Sequence, residues 1–121
     1  MSVALVVLGL GVAGAAGASL RDVVLRAAAA AGVIAHARAV AGVNLTGAIL
    51  LALLQVLPVD EVVRTVLGVG FCGALSTFST WMLAAYLRVE VGASWYRVVT
   101  LDLAAQLVVG VLLVVTVLRV V

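Results

Sequence analysis

Four runs of about twenty mainly apolar residues, each bounded by polar punctuation, fix the class of fold open to this chain, because a helix of that length is what crosses a bilayer. The first is uncharged from Val3 through Leu20, meets Arg21 and Asp22, and continues as a softer amphipathic stretch to about Ala30. The second runs free of charge from about Val40 to Leu57 and stops at Pro58, Asp60 and Glu61, where a proline and two acids end a helix at the water surface. The third lies between Arg64 and Arg88, and the fourth runs from about Val98 to Leu118, with Trp95, Tyr96 and Arg97 as an interfacial anchor at its start. With their flanking turns the spans are expected at residues 3–28, 38–57, 62–87 and 95–118, within one transmembrane four-helix domain over residues 1–121. Short loops leave room for a compact all-α bundle and nothing else.

Composition removes the alternatives. Hydrophobic residues make up 67% of the chain and charged residues 10%, where a soluble domain carries about 25% charged residues. The seven basic residues are all Arg and stand singly, so there is no clustered basic face for nucleic acid. One Cys and one His build neither a structural zinc site nor an intrachain disulfide. The pattern supports no catalytic arrangement of paired carboxylates or of a His beside a nucleophile, and there is no G-x-x-x-x-G-K-[ST] string, so neither an enzyme nor a nucleotide-driven pump is expected. His36 is placed in the first loop, at headgroup level. Small residues after the first apolar run loosely resemble a signal-peptide cleavage site, but no positive region precedes it, and the run is taken as a span.

Inside hydrocarbon each polar group needs a reason. The unusual positions are Asn44, Thr46, the cluster Ser76, Thr77, Ser79 and Thr80, and then Asp102 and Gln106. The third span is the most informative, with Gly68, Gly70 and Gly73 followed by four hydroxyls near its middle. That pattern suggests a helix that unwinds at membrane depth, which is tolerated only where the freed backbone lines a cavity, an ion site or a protein interface. Freed carbonyls hold cations, whereas hydroxyls and broken-helix amides hold anions. The plainer reading is that the hydroxyls bond to their own i−4 carbonyls or glue helices together. Glycines and alanines crowd the first span from Gly9 to Ala18, which lets a neighbouring backbone approach closely.

The strings Gly-Val-Asn44-Leu-Thr-Gly47 and Gly70-Phe-Cys-Gly-Ala-Leu-Ser-Thr-Phe-Ser-Thr-Trp81 resemble the CrcB/Fluc family of fluoride channels. The first span adds Gly17, Ala18 and Arg21, matching a Gly-Ala-x-x-Arg element, and Val43, Asn44 and Gly47 match V-N-x-x-G. The third-span string follows G-F-C-G-x-x-T-T-F-S-T-F except for Ser76 and Trp81. The resemblance implies an antiparallel dual-topology-type dimer with two pores and a break in the third helix. It also implies a structural sodium ion (Na+) held there by backbone carbonyls, which here belong to Gly73 and Ser76. It places fluoride along Asn44, Phe78 and Trp81 with the hydroxyls of Thr77, Ser79 and Thr80, and gives Gly17, Arg21 and Gly47 to helix packing. A ring edge is positive, so aromatic edges and an Asn amide replace water around a small hard anion without a charge that would trap it.

The fourth span departs from that pattern. Aligned on Gly110, Asp102 and Gln106 stand where the family has a Tyr and a Ser, on one helical face, so their place on the pore is uncertain. A carboxylate beside a fluoride path repels the anion unless it is protonated or paired. The loops after the first and third spans carry Arg26, Arg38, Arg88 and Arg97, with Arg21 nearby, against Arg64 and Arg119 on the other side. That bias favours one orientation in the plasma (inner) membrane, with both termini outside. The leading expectation is a passive fluoride-selective channel that exports cytoplasmic fluoride as an antiparallel homodimer. The alternatives are a half-pore or non-conducting subunit of a heterodimer with an oppositely inserted homologue, and a small proton-coupled multidrug exporter, for which Asp102 is the one available acid.

Overall fold

The computed structural model describes residues 2–120, the side chains of Ser79 and Val99 excepted. Four helical spans, Val3–Ala30, Val33–Val56, Glu61–Glu90 and Trp95–Val120, are long and apolar enough to cross a membrane. The architecture is all-helical, with no strand among the described residues.

Local chemistry sets each boundary. Ser2 caps the first span, its Oγ accepting from the Leu5 N–H at 3.3 Å. The first span ends at a two-residue turn in which Gly32 takes φ 118°, a left-handed conformation open to glycine at little cost. The second span therefore begins at Val33, five residues before the boundary expected at residue 38, and His36 lies within that helix rather than in a loop. Hydropathy undercounts here because His36 and Arg38 interrupt the apolar run, yet neither breaks a helix. At the far end Leu57 is extended, as the residue before a proline must be, and the helix stops. Arg64 then folds back over that end. Its guanidinium donates to the carbonyls of Leu54 at 3.0 Å, Leu57 at 3.3 Å and Val59 at 3.4 Å, and pairs with Glu61 at 3.1 Å. Helix-end carbonyls that lack intrahelical partners are satisfied in this way. Gly92, at φ 105°, makes the turn into the fourth span.

The first span packs against the third through its small residues. A Cβ on Gly17 would stand 2.4 Å from the Phe71 carbonyl oxygen, and one on Gly70 would stand 3.0 Å from the Ala13 Cβ. Backbones this close gain dispersion contacts that lipid cannot supply. Residues Val66–Cys72 of the third span and Val98–Ala104 of the fourth are wound as π-helical turns, wider than the α-helix around them. Leu25, Ala37, Val40, Val43, Leu75 and Ala84 form a core between the first three spans, with Val40 wholly enclosed. Large apolar side chains cover the outer faces, among them Val3, Val12, Leu101 and Leu112. That is an expected coat against hydrocarbon and a liability in water.

Candidate functional site

In the middle of the third span the helix is interrupted for two residues. Gly73–Leu75 ends at Ser76 (φ −83°, ψ 154°), and Phe78–Glu90 starts after Thr77 (φ −153°, ψ 129°). Both residues are extended; the Ser76 N–H still reaches the Cys72 carbonyl at 3.1 Å, but both polar groups of the Thr77 backbone need partners from outside the helix. Asn44 of the second span supplies two at once. Its Oδ1 accepts from the Thr77 N–H at 2.7 Å and its Nδ2 donates to the Thr77 carbonyl at 3.1 Å, so one planar amide clasps both polar groups of one residue. The Thr77 Oγ1 accepts from the Thr80 N–H at 3.3 Å and so caps the downstream half-helix, with the two hydroxyls also 3.3 Å apart. Arg21 of the first span donates to the Ala74 carbonyl at 2.9 Å, a cation at the negative end of the upstream half.

These substitutions leave two carbonyls aside. In a continuous α-helix the Thr77 N–H would bond to Gly73 and the Thr80 N–H to Ser76. The first goes to Asn44 and the second to the Thr77 hydroxyl, which releases the carbonyls of Gly73 and Ser76 from helical bonding. The Ser76 hydroxyl turns back to the Cys72 carbonyl at 3.1 Å, the ordinary i−4 bond of a helical serine. Gly47 packs closely beside it, and a Cβ there would stand 3.3 Å from the Cys72 oxygen and 3.4 Å from the Ser76 Cβ.

Beside the interruption an open groove of about 640 Å³ runs between the second, third and fourth spans. Asn44, Gly73, Ser76, Thr77, Phe78 and Trp81 line it from one side, and Gln106 with Leu107, Gly110 and Val111 from the other. The Phe78 and Trp81 rings meet edge to face, with centroids 6.1 Å apart and planes at 85°. Phe78 is 70% exposed, on the open side of the groove, while Trp81 leans on the core and its indole N–H is buried without a partner among the described residues. The wall is neutral, with no charged side chain on it.

Of the residues singled out in the sequence, Asn44, Gly73, Ser76, Thr77, Phe78, Trp81 and Gln106 are brought together on this groove. Thr80 stands behind it, bonded to Thr77, and Ser79 has a side chain outside the described residues. Gly17, Arg21 and Gly47 support the interrupted segment from behind rather than lining it. Asp102 does not reach the wall. Its carboxylate pairs with Arg88 at 2.6 Å and accepts a short hydrogen bond from the Gln106 amide. Sequence reasoning missed Arg88, which it counted only as a loop cation. The pair is fourteen residues apart across a turn, a spacing that carries no periodic signal.

Comparison with known proteins adds an independent line. A family model described as CrcB-like protein, Camphor Resistance (CrcB), matches residues 8–118. The chain is 52% identical over 50 residues to a protein named fluoride-specific ion channel FluC 2 from Parasynechococcus marenigrum (strain WH8102), covering 41% of this chain and 38% of that relative. It is 48% identical over 50 residues to the protein of the same name from Synechococcus sp. (strain CC9605), again 41% and 38% of the two chains. It is also 45% identical over 51 residues to the one from Prochlorococcus marinus (strain MIT 9313), with 42% and 41% covered. The matched segment thus spans about two fifths of the curated relatives' length. No solved structure matches the chain.

Proposed function

Since the chain belongs to the CrcB family, we propose that it is a fluoride-selective passive channel that lets fluoride leave the cytoplasm down its gradient. The observation that carries the reading is the neutral, largely apolar groove beside the interrupted third span, with the Asn44 and Gln106 amides and the Phe78 and Trp81 rings on its wall. Fluoride is small and strongly hydrated, so a path for it must replace water with donors that hold it weakly enough to release it. Aromatic edges and amide N–H groups do this, whereas a fixed cation on the wall would trap the ion. The names of the relatives support fluoride as the ion. Fluoride enters cells as the neutral weak acid and dissociates inside, which supplies the outward gradient and removes any need for an energy source.

The groove is open to one side in the single chain, and the reading closes it with a second subunit in antiparallel orientation in the cell's plasma membrane. The released carbonyls of Gly73 and Ser76 fit a sodium ion, being neutral oxygens with no competing helical donor. Two such pairs, one from each subunit, would hold Na+ at the dimer axis as a structural ion that ties the two interruptions together.

A second reading follows from the charge distribution. Arg21 is bound to the Ala74 carbonyl, which leaves Arg26, Arg38, Arg88 and Arg97 on one side of the membrane against Arg64 and Arg119 on the other. Chains that insert in both orientations need little bias, so this one also suits a fixed-orientation half of a heterodimer. Fluoride efflux from liposomes holding the purified chain, with chloride-loaded vesicles as control, tests both. Fluoride-selective efflux from the chain alone supports the homodimer. Efflux only after an oppositely inserted homologue is added supports the heterodimer, and no efflux in either case refutes the channel reading.

A further inference from the structure

Gln106 is the one polar side chain that the fourth span places on the groove, and its neighbours there are Leu107, Gly110 and Val111. Its amide is oriented by a hydrogen bond in which the Gln106 Nε2 donates to Asp102 Oδ1. One Nε2 hydrogen is thereby committed to Asp102, and the rest of the amide has no partner among the described hydrogen bonds, on a side chain that lines the groove. Asp102 is itself held by Arg88, at 2.6 Å, from the end of the downstream half of the third span. The Asp102 side chain is 14% exposed and the Arg88 side chain 31%, so the pair is shielded on the Asp102 side and open to ions on the Arg88 side. Asp102 lies in the π-helical turn Val98–Ala104, and such turns recur where a side chain has been re-aimed for function.

We infer that Arg88 and Asp102 are a positioning pair for anion passage. Asp102 fixes the Gln106 donor toward the groove, and Arg88 cancels the carboxylate charge that would otherwise oppose an anion one helical turn away. The pair gives the fourth span a neutral hydrogen-bond donor without leaving a net charge beside the path. Neither residue lines the groove, so both act through Gln106 and through the field they set. This inference rests on the fluoride-channel reading and assigns that path a specificity device on the fourth span.

The test is fluoride efflux from liposomes in whichever assembly of the chain conducts, alone or with an oppositely inserted homologue, using variants that elute as folded assemblies. Arg88→Gln leaves an uncompensated carboxylate near the path, and the efflux rate falls about tenfold or more. That deficit shrinks when a non-permeant salt is raised from about 30 mM to about 300 mM, because the exposed flank of the charge becomes screened. The double variant Arg88→Gln/Asp102→Asn removes both charges while keeping an acceptor for Gln106, and its rate returns to within about threefold of the parent. An Arg88→Gln variant that conducts like the parent overturns the inference. So does a deficit that is indifferent to salt and persists in the double variant, since that is the mark of a structural pair. A parent that conducts in neither assembly overturns the channel reading and this inference with it.

Discussion

Replacing Asn44 by Leu should loosen the interruption in the third span more than any other single side-chain change of similar size. The substitution keeps the branched outline, with two bulkier methyls in place of the amide, and removes both hydrogen bonds to Thr77, the 2.7 Å bond to its N–H and the 3.1 Å bond to its carbonyl. Thr77 is extended, so neither group has a helical partner to return to. A buried backbone group left unpaired costs about 1–3 kcal/mol, which makes the expected loss about 2–6 kcal/mol for the two. Removal of the polar amide from an apolar setting offsets part of this, and the lower half of that range is the more realistic expectation. Thr46→Val on the same helix is the matched control. Thr46 is exposed, no hydrogen bond of its side chain is among those described, and the change should stay within about 0.5 kcal/mol. Reversible denaturation in detergent micelles, followed through tryptophan fluorescence, measures both, since Trp81 lies one turn beyond the interruption. Amide hydrogen exchange at Thr77 gives a local reading. A loss of 2 kcal/mol confined to this segment accelerates exchange about thirtyfold. If the Leu variant unfolds within about 0.5 kcal/mol of the parent and Thr77 exchanges no faster, the clasp is not what holds the interruption, and the argument fails.

Two glycines of the first span should respond oppositely to alanine. Gly17→Ala drives a methyl to 2.4 Å from the Phe71 carbonyl oxygen, so the first and third spans must separate, at a cost of about 1–3 kcal/mol seen as a lowered Tm; Gly11→Ala meets nothing within 4 Å and should raise Tm slightly through its gain in helix propensity. Arg64→Met keeps the aliphatic stem but abandons the carbonyls of Leu54, Leu57 and Val59; a loss of about 1–3 kcal/mol is expected, with faster amide exchange confined to residues 54–61. Gly92→Ala must hold an L-residue at φ 105°, which costs about 1–2 kcal/mol although the space is open, whereas Gly92→Asn, better tolerated in that region, should recover part of it in the same thermal assay.

The spans were legible because each rests on one strong local signal, a long apolar run, and that signal fails only where polar residues sit on helix that is still helix, as at His36 and Arg38. The stretch from Gly68 to Trp81 stood out for the same reason in reverse, since glycines and hydroxyls are conspicuous amid valine and leucine. Its partners were less legible. That Asn44 would clasp both sides of Thr77, or that Arg21 would reach the Ala74 carbonyl, depends on contacts 33 and 53 residues apart in the chain, for which local periodicity carries no information. Asp102 and Gln106 were readable as sharing a face, because residues four apart on a helix adjoin. Arg88 was not, because its side chain crosses from one span to another, and an arginine at the end of an apolar run reads as an interfacial anchor. Trp81 leaves a residual point. Its buried N–H has no acceptor among the described residues, and no local pattern in the sequence signals that.

The close fit between Gly17 and Phe71 also bears on how the chain is made. The first span leaves the ribosome more than fifty residues ahead of the segment it packs on, as the 53-residue separation of Arg21 and Ala74 records. At about 5–20 residues per second, that is an interval of several seconds. During it a groove of glycine and alanine, and a guanidinium with no carbonyl to meet, are already in or near the bilayer. The second span is the only other part of the chain present for most of that time. Assembly of this bundle is therefore a matter of waiting as well as of affinity: the first span must remain available, shielded by lipid, the insertion machinery or its immediate successor, until its true neighbour arrives.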